Sequence, residues 1–144
     1  MKKTLFILIS MLIILLSITF IFIKNNINAE KDVANFNAYY ENYLDKTIFG
    51  SEVATLISKA IDNNEKYNIE KSENGLYISD NKYSIEIYIN IIGSPKTYEM
   101  ETINKVGISQ FISNFNVMTF TCTKINYHEQ TKRVSEIYIE EVML

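Results

Sequence analysis

The feature that most constrains this chain is an uncharged apolar segment, residues 4–23, in which only threonine and serine are polar. At about 1.5 Å of rise per residue, a helix of these 20 residues crosses the roughly 30 Å hydrocarbon layer of a bilayer. Backbone groups inside lipid must bond to one another, so a helix is the form available to the segment. The sequence therefore predicts a membrane-spanning helix through residues 4–23.

A cleaved secretory signal peptide is the competing interpretation of this segment. Signal peptides carry apolar regions of about 7–15 residues, followed by small residues at the cleavage site. The segment here is longer, and the nearest candidate site, after Ala29, has the large Ile27 three residues before the cut. No cysteine directly follows the segment, which argues against a lipoprotein signal. We expect an uncleaved anchor, residues 1–28, and a second domain, residues 29–144.

The charges around the anchor predict its orientation. Two lysines precede the apolar segment, whereas Lys24 after it is soon followed by Glu30 and Asp32. The positive-inside rule then favours a cytoplasmic N-terminus and an extracytoplasmic domain in a single-pass protein of the cell membrane. From Asn25 onward, 11 basic side chains face 17 acidic ones, a net charge of −6. Because this domain repels phosphate groups, we expect no nucleic-acid partner.

Apolar spacing beyond the anchor predicts two helices. The first covers about residues 30–44, and no glycine or proline between Thr4 and Phe49 separates it from the anchor, so its continuity with the anchor stays open. The second begins at Ser51 as N-cap, with Glu52 in the first turn, and ends at residues 62–64. Its core-facing stripe consists of Val53, Leu56, Ile57, Ala60 and Ile61.

After the second helix the apolar period changes from 3.6 to 2, which indicates strands. We expect strands at residues 76–79, 83–91 and about 98–101, and two long strands at residues 117–127 and 133–142 joined by a hairpin loop. The apolar spacing further on predicts a short helix over residues 103–114. This order predicts an α+β fold: the anchor, two helices, an antiparallel sheet of about four to five strands and one short helix. We expect the outer face of this sheet to carry Thr119, Thr121, Glu136, Tyr138 and Glu140.

Candidate catalytic and metal-binding residues are few. Cys122 and His128 are the residue types of a nucleophile–base pair, but the expected turn near His128 and the lack of an oxyanion loop favour a core cysteine and a loop histidine. The carboxylates on the predicted strands, at positions 99, 101, 136, 140 and 141, are typical of a solvated face. No CxxC or glycine-rich phosphate motif is present. We therefore expect no catalytic, cofactor or metal site, and no enzyme.

Tyrosine supplies the one hint of a binding role. Tyr39, Tyr40 and Tyr43 lie close together on the first predicted helix, and Tyr138 lies on the outer strand face. Tyrosines are favoured at protein interfaces, so these four residues are the candidate interaction surface. For the first three, packing in the core with the hydroxyls at its rim is the favoured alternative, and a position near lipid headgroups stays open.

Residues 36–64 carry a recognisable pattern. Its matching residues are Phe36-Asn37, Tyr40, Tyr43, Gly50-Ser51, Val53 and Leu56-Ile57. The pattern resembles that of small, single-pass, membrane-anchored proteins of low-GC Gram-positive bacteria, whose chains tend to end in a strand pair. The resemblance implies the anchor and transfers no active site.

Three functions follow as expectations. The first is a membrane-tethered, non-enzymatic binding or assembly module of a bacterial cell envelope, with the bilayer and a protein as partners. The second is a pilin-like or pseudopilin-like structural subunit, because an apolar N-terminal helix before an antiparallel sheet is similar to type IV pilins. Against it, pilin precursors carry a glycine at the cleavage site and a glutamate a few residues into the apolar segment, whereas here the segment begins at Thr4 without such a glycine and no glutamate precedes Glu30. The third is a membrane-bound immunity protein.

Overall fold

The computed structural model describes residues 2–143, and it divides after Asn35 into two compact units. The first helix, α1 (Lys2–Glu41), is continuous, which settles the question that the sequence left open. Its apolar part is long and apolar enough to cross a membrane. The hydroxyls of Ser10 and Ser17 each donate to a carbonyl of the preceding turn at 2.8 Å, so these polar groups are satisfied within the helix.

The second unit contains a five-stranded sheet and three further helices, which confirms the α+β class and the number of strands. Its elements in chain order are β1 (Thr47–Phe49), α2 (Gly50–Lys66), β2 (Glu86–Asn90), β3 (Thr97–Glu99), α3 (Met100–Val106), α4 (Ile108–Phe115), β4 (Thr119–Tyr127) and β5 (Val134–Val142). The strands lie in the order β1-β4-β5-β2-β3. The two long strands β4 and β5 form the expected hairpin.

The prediction of an antiparallel sheet is wrong in one place, because β2 and β5 pair in parallel. Between these strands the chain passes through β3, α3, α4 and β4, so β5 comes back beside β2 from the same end of the sheet. Ile87 lies opposite Ile137, and Ile89 lies opposite Ile139, all four at most 1% exposed. The parallel pair therefore contributes a continuous apolar surface to the core.

Helix α2 covers the inner face of the sheet. Its predicted stripe is confirmed, since Val53, Leu56, Ile57 and Ala60 are fully buried. They join one core with the buried residues of the strands, which include Ile85, Ile87, Ile89, Phe120, Cys122, Ile137 and Ile139. The core thus lies between α2 and one face of the sheet, and the side chains of the opposite face point away from it.

Both predicted ends of α2 are wrong. The helix begins at Gly50 rather than after a Ser51 cap, and the Phe49 N–H donates to the Glu52 carboxylate at 2.9 Å. It runs past residues 62–64 to Lys66, because Asn63 and Asn64 are buried and their amides bond to the backbone of Tyr83 and Ile85. Polar residues that normally end a helix are accommodated here by these long-range partners.

Three shorter elements also differ from the predictions. Residues 76–79 form no strand, only an isolated bridge between Lys71 and Tyr77, and β1 is a strand that was not predicted. The predicted helix over residues 103–114 is two helices, because Gly107 takes a positive φ of 117° between them, and Met100 starts the first of these helices rather than ending a strand. At Gly50, a Cβ atom would lie 2.0 Å from the Phe115 carbonyl oxygen, so a hydrogen at this position allows α2 to approach α4.

Candidate functional site

The sheet has one face that no helix of the second unit covers, and we call it the outer face. Side chains alternate along β2 and β5, so Glu86, Tyr88, Glu136 and Tyr138 lie on the opposite side from the buried isoleucines. Glu136 and Tyr138 thus lie on the face where the sequence predicted them, and all four side chains are partly buried. The register brings these four residues together in two adjacent pairs, Glu86 opposite Glu136 and Tyr88 opposite Tyr138.

The tyrosine pair forms the centre of a row across four strands. The rings of Tyr88 and Tyr138 stack with centroids 5.1 Å apart and an interplanar angle of 24°. On one side Glu99 of β3 lies opposite Tyr88, and on the other Lys124 of β4 lies opposite Tyr138. The Lys124 Nζ lies 5.2 Å from the Tyr138 ring centroid, so an ammonium group already sits on the aromatic surface.

The carboxylate pair accepts hydrogen bonds from neutral donors. The Asn126 amide donates to Glu136 Oε2 at 2.6 Å, and the Tyr138 hydroxyl donates to the same oxygen at 2.9 Å. The Tyr88 hydroxyl donates to Glu86. Among the side chains of residues 3–143 no ion pair forms, so both carboxylates are without a cationic partner within the described chain.

Electrostatics of the outer face are dominated by negative charge. Burial raises the pKa of Glu86, and the neighbouring carboxylates, Glu136 foremost, raise it further. The register places four carboxylates on this face, those of Glu86, Glu99, Glu136 and Glu140, against the single ammonium of Lys124 within the paired strand positions. The face is therefore suited to accept a positively charged group.

A groove of about 690 Å³ opens beside the carboxylate pair. It is lined by Glu86, Glu136 and Asn126 from the strands, by Ser79 and Asn81 from the loop before β2, and by residues 128–130 of the hairpin, among others. Within residues 2–143, no cluster of three or more histidine, cysteine or acidic side chains is arranged to hold a metal ion. The groove offers carboxylate and amide groups for binding.

The three neighbouring tyrosines at the end of α1, of which Tyr43 lies in the turn that follows the helix, are not on this surface. Tyr40 is 3% exposed and belongs to the core, and Tyr39 and Tyr43 pack beside it with partial exposure. The ring centroids of Tyr39 and Tyr43 lie 5.9 Å apart, and burial raises the pKa of Tyr39 to about 12. Of the four candidate tyrosines, only Tyr138 lies on the outer face.

Cys122 and His128 do not form a nucleophile–base pair. Cys122 is fully buried on the inner face, and burial raises the pKa of its thiol to about 11. His128 is also buried, with Nε2 2.7 Å from the Ser84 carbonyl oxygen, and a carbonyl only accepts, so Nε2 carries a proton. Within the described residues no hydrogen bond joins the two side chains.

A buried polar cluster around Arg133 was missed by sequence reasoning. The guanidinium lies 3.5 Å from the Phe36 ring centroid, and its Nη2 donates to the Asn63 side chain at 3.2 Å. The Asn37 amide donates to the Lys132 carbonyl at 2.7 Å and accepts from the Val134 N–H at 2.9 Å. These contacts fasten the end of α1 to the β4–β5 hairpin. That Arg133 is the only arginine of the chain was the one signal available.

Comparison of the chain with protein-family models, with curated proteins and with solved structures found no match to any of them.

Proposed function

We propose that the chain is a membrane-tethered, non-enzymatic binding module of a bacterial cell envelope. Residues 4–23 anchor it in the cell membrane, the N-terminus lies in the cytoplasm, and the α+β domain lies outside. The domain binds a protein partner through the outer face of its sheet. The observation that carries this proposal is the half-buried pair Glu86–Glu136 beside the stacked pair Tyr88–Tyr138, on a face that no helix among residues 36–143 covers.

Two properties of the outer face support binding. Partly buried tyrosines lose little conformational freedom when a partner covers them, and they contribute both apolar area and a hydroxyl. The carboxylates of Glu86 and Glu136 lie in register on neighbouring strands and have no cationic partner within the described chain. A cation supplied from outside would relieve the repulsion between them.

The anchor and the motif of residues 36–64 support the same proposal. Lysines 2 and 3 before the apolar segment, and acidic residues soon after it, favour an external domain. The resemblance to small anchored proteins of low-GC Gram-positive bacteria rests on residues that hold the fold together. Phe36 stacks on Arg133, Asn37 bonds to the hairpin, and Gly50 lies against α4.

Site-specific photo-crosslinking in living cells tests the proposal. A photoreactive phenylalanine analogue replaces Tyr138 on the outer face and, as matched control, the exposed Asn104 of α3. We expect a discrete crosslinked protein from position 138 and none from position 104. Equal or absent crosslinking from position 138 would count against a binding role of this face.

Sidedness is tested separately, with a reporter enzyme fused after the last residue. An alkaline phosphatase fusion, which is active only outside the cytoplasm, should be active, and a fusion to a reporter that works only inside should be silent. The reverse pattern would contradict an external domain.

A further inference from the structure

We infer that an extended, basic segment of a partner protein adds as a strand to the free edge of β4 at residues 123–127. This inference rests on the proposed function and names the partner's chemistry and its place of attachment. Strand β5 occupies one side of β4, and the other side is occupied only in part.

The edge of β4 is open over its second half. Strand β1 pairs with residues 119–121, and the Asp45 N–H donates to the Cys122 carbonyl at 2.9 Å. Beyond this point, residues 123–127 form no main-chain hydrogen bond to another strand on that side within the part of the chain that the structure describes, and the Lys124 N–H lies against the Cys122 thiol of its own strand. A row of unpaired N–H and C=O groups is the template that an extended peptide uses for strand addition.

The open edge is accessible and locally regular. Thr123, Lys124 and Tyr127 are exposed, and Ile125 and Asn126 are partly exposed. Irregularities of register lie on either side of residues 124–126, which pair in continuous register with β5. The middle of the free edge therefore has the geometry of an ordinary strand, and it contains no proline that would remove a donor.

Charge determines which segment fits. A strand added here extends the outer face, and every second side chain of that strand lies on this face. The groove that holds Glu86 and Glu136 is also lined by residues 125–127 of the free edge. On the other side of the strand, Glu41 adds a carboxylate near the end of this edge, where it accepts from the Tyr127 hydroxyl at 2.7 Å. A lysine or arginine on the added strand beside Asn126 would therefore reach Glu136, whose carboxylate lies 2.6 Å from the Asn126 amide, whereas the position beside Lys124 favours an uncharged side chain.

A second copy of the chain fits this edge less well. Pairing β4 with its own copy would join two outer faces that each carry Glu86, Glu99, Glu136 and Glu140 against Lys124. The repulsion between the two sets of carboxylates disfavours pairing with a second copy. The internal ammonium of Lys124, placed over the Tyr138 ring, shows instead how a cation from another strand can rest on this face.

Binding of a defined peptide tests the inference. The full-length protein is placed in nanodiscs of zwitterionic phosphatidylcholine, and the probe is a fluorescent heptapeptide that alternates lysine with threonine. Two matched peptides replace the lysines by glutamate, or keep the lysines and carry N-methyl groups on the backbone amides. Fluorescence anisotropy measures affinity, and amide hydrogen exchange measures protection of residues 123–127.

We expect the lysine peptide to bind and to slow exchange at residues 123–127, while the glutamate peptide does neither. The N-methylated peptide, which has the same charges but cannot pair as a strand, should bind at least about tenfold more weakly. Glu136→Gln and Glu86→Gln should each weaken the lysine peptide by about tenfold, and Glu73→Gln, an exposed control with the same loss of charge, should not.

Three results would overturn the inference. These are no protection of residues 123–127 by the lysine peptide, equal affinity of the N-methylated peptide, or protection that rises with protein concentration when no peptide is present, which would indicate a second copy. If the peptide fails while position 138 still crosslinks a protein in cells, the strand-addition inference alone is wrong. If position 138 crosslinks nothing either, the proposed function fails with it.

Discussion

Removal of the Asn64 side chain should destabilise the domain more than any exposed substitution. Asn64 is fully buried in α2. Ile85 lies just before β2, and the Asn64 side-chain amide hydrogen-bonds to both its N–H and its carbonyl group. The Nδ2 donates to the Ile85 carbonyl at 2.8 Å, and Oδ1 accepts from the Ile85 N–H at 2.8 Å. Asn64→Ala leaves both groups buried without a partner, since Ile85 is itself fully buried.

The size of the expected loss of stability follows from the two Ile85 backbone groups that lose their hydrogen bonds. Each unsatisfied buried donor or acceptor costs about 1–3 kcal/mol, so Asn64→Ala should lower the free energy of unfolding by about 2–6 kcal/mol. A small domain is stable by only about 5–15 kcal/mol, so the loss is a large share of the total. With a urea dependence of about 2 kcal/mol per molar, a loss of 4 kcal/mol lowers the unfolding midpoint by about 2 M.

Urea unfolding of the full-length protein in detergent micelles measures this loss. The chain has 10 tyrosines and no tryptophan, so tyrosine fluorescence and near-ultraviolet circular dichroism report on tertiary structure. Asn104→Ala on the exposed side of α3 is the matched control and should stay within about 0.5 kcal/mol of the native protein. A midpoint for Asn64→Ala equal to that of the control would refute the role assigned to this amide.

Three further predictions concern single residues. Because the folded pKa of Glu86 is raised, its stability contribution is present at acid pH and is lost as pH rises through that pKa. Glu86→Gln should therefore be more stable than the native protein at neutral pH and equally stable below about pH 4. Urea unfolding midpoints that differ between the two proteins by the same amount at both pH values would contradict this. Gly50→Ala should lower the free energy of unfolding by about 1–3 kcal/mol or more, because the added Cβ meets the Phe115 backbone, whereas the control Ser51→Ala should change it little. Similar thermal unfolding midpoints for the two variants would refute the clash. The buried Cys122 thiol, with a pKa of about 11, should react with a thiol reagent only after urea unfolds the domain, and rapid labelling without urea would show that the site is open.

The parts of the fold that the sequence predicts are those with a strong local period. The uncharged run of residues 4–23, the stripe of α2 and the alternation in β4 and β5 each repeat often enough to identify the element. Strand β1 has three residues, too few for any period to show. Asn63 and Asn64 are residues that normally end a helix. The backbone partners that hold them inside α2 lie about 20 residues further along the chain, so the local sequence could not show that the helix continues.

The candidate site was predicted in part. Alternation places Glu136 and Tyr138 on the outer face, and the same reasoning applies to Glu86 and Tyr88 within the predicted strand of residues 83–91. These four residues are neighbours because β2 and β5 pair in parallel with this register. The sequence could not show this, since side chains alternate in the same way in parallel and antiparallel strands. The pairing of the carboxylates and the stacking of the rings therefore needed the structure.

The direct measurement of the central claim compares the outer face in native membranes with that of the purified protein. Hydroxyl-radical footprinting followed by mass spectrometry reports the solvent access of Tyr88 and Tyr138, with the exposed Val106 of α3 as an internal control. We predict that both tyrosines are oxidised less in native membranes than in purified protein in nanodiscs, while Val106 is oxidised equally. Equal oxidation of the tyrosines in both samples would contradict a partner on this face.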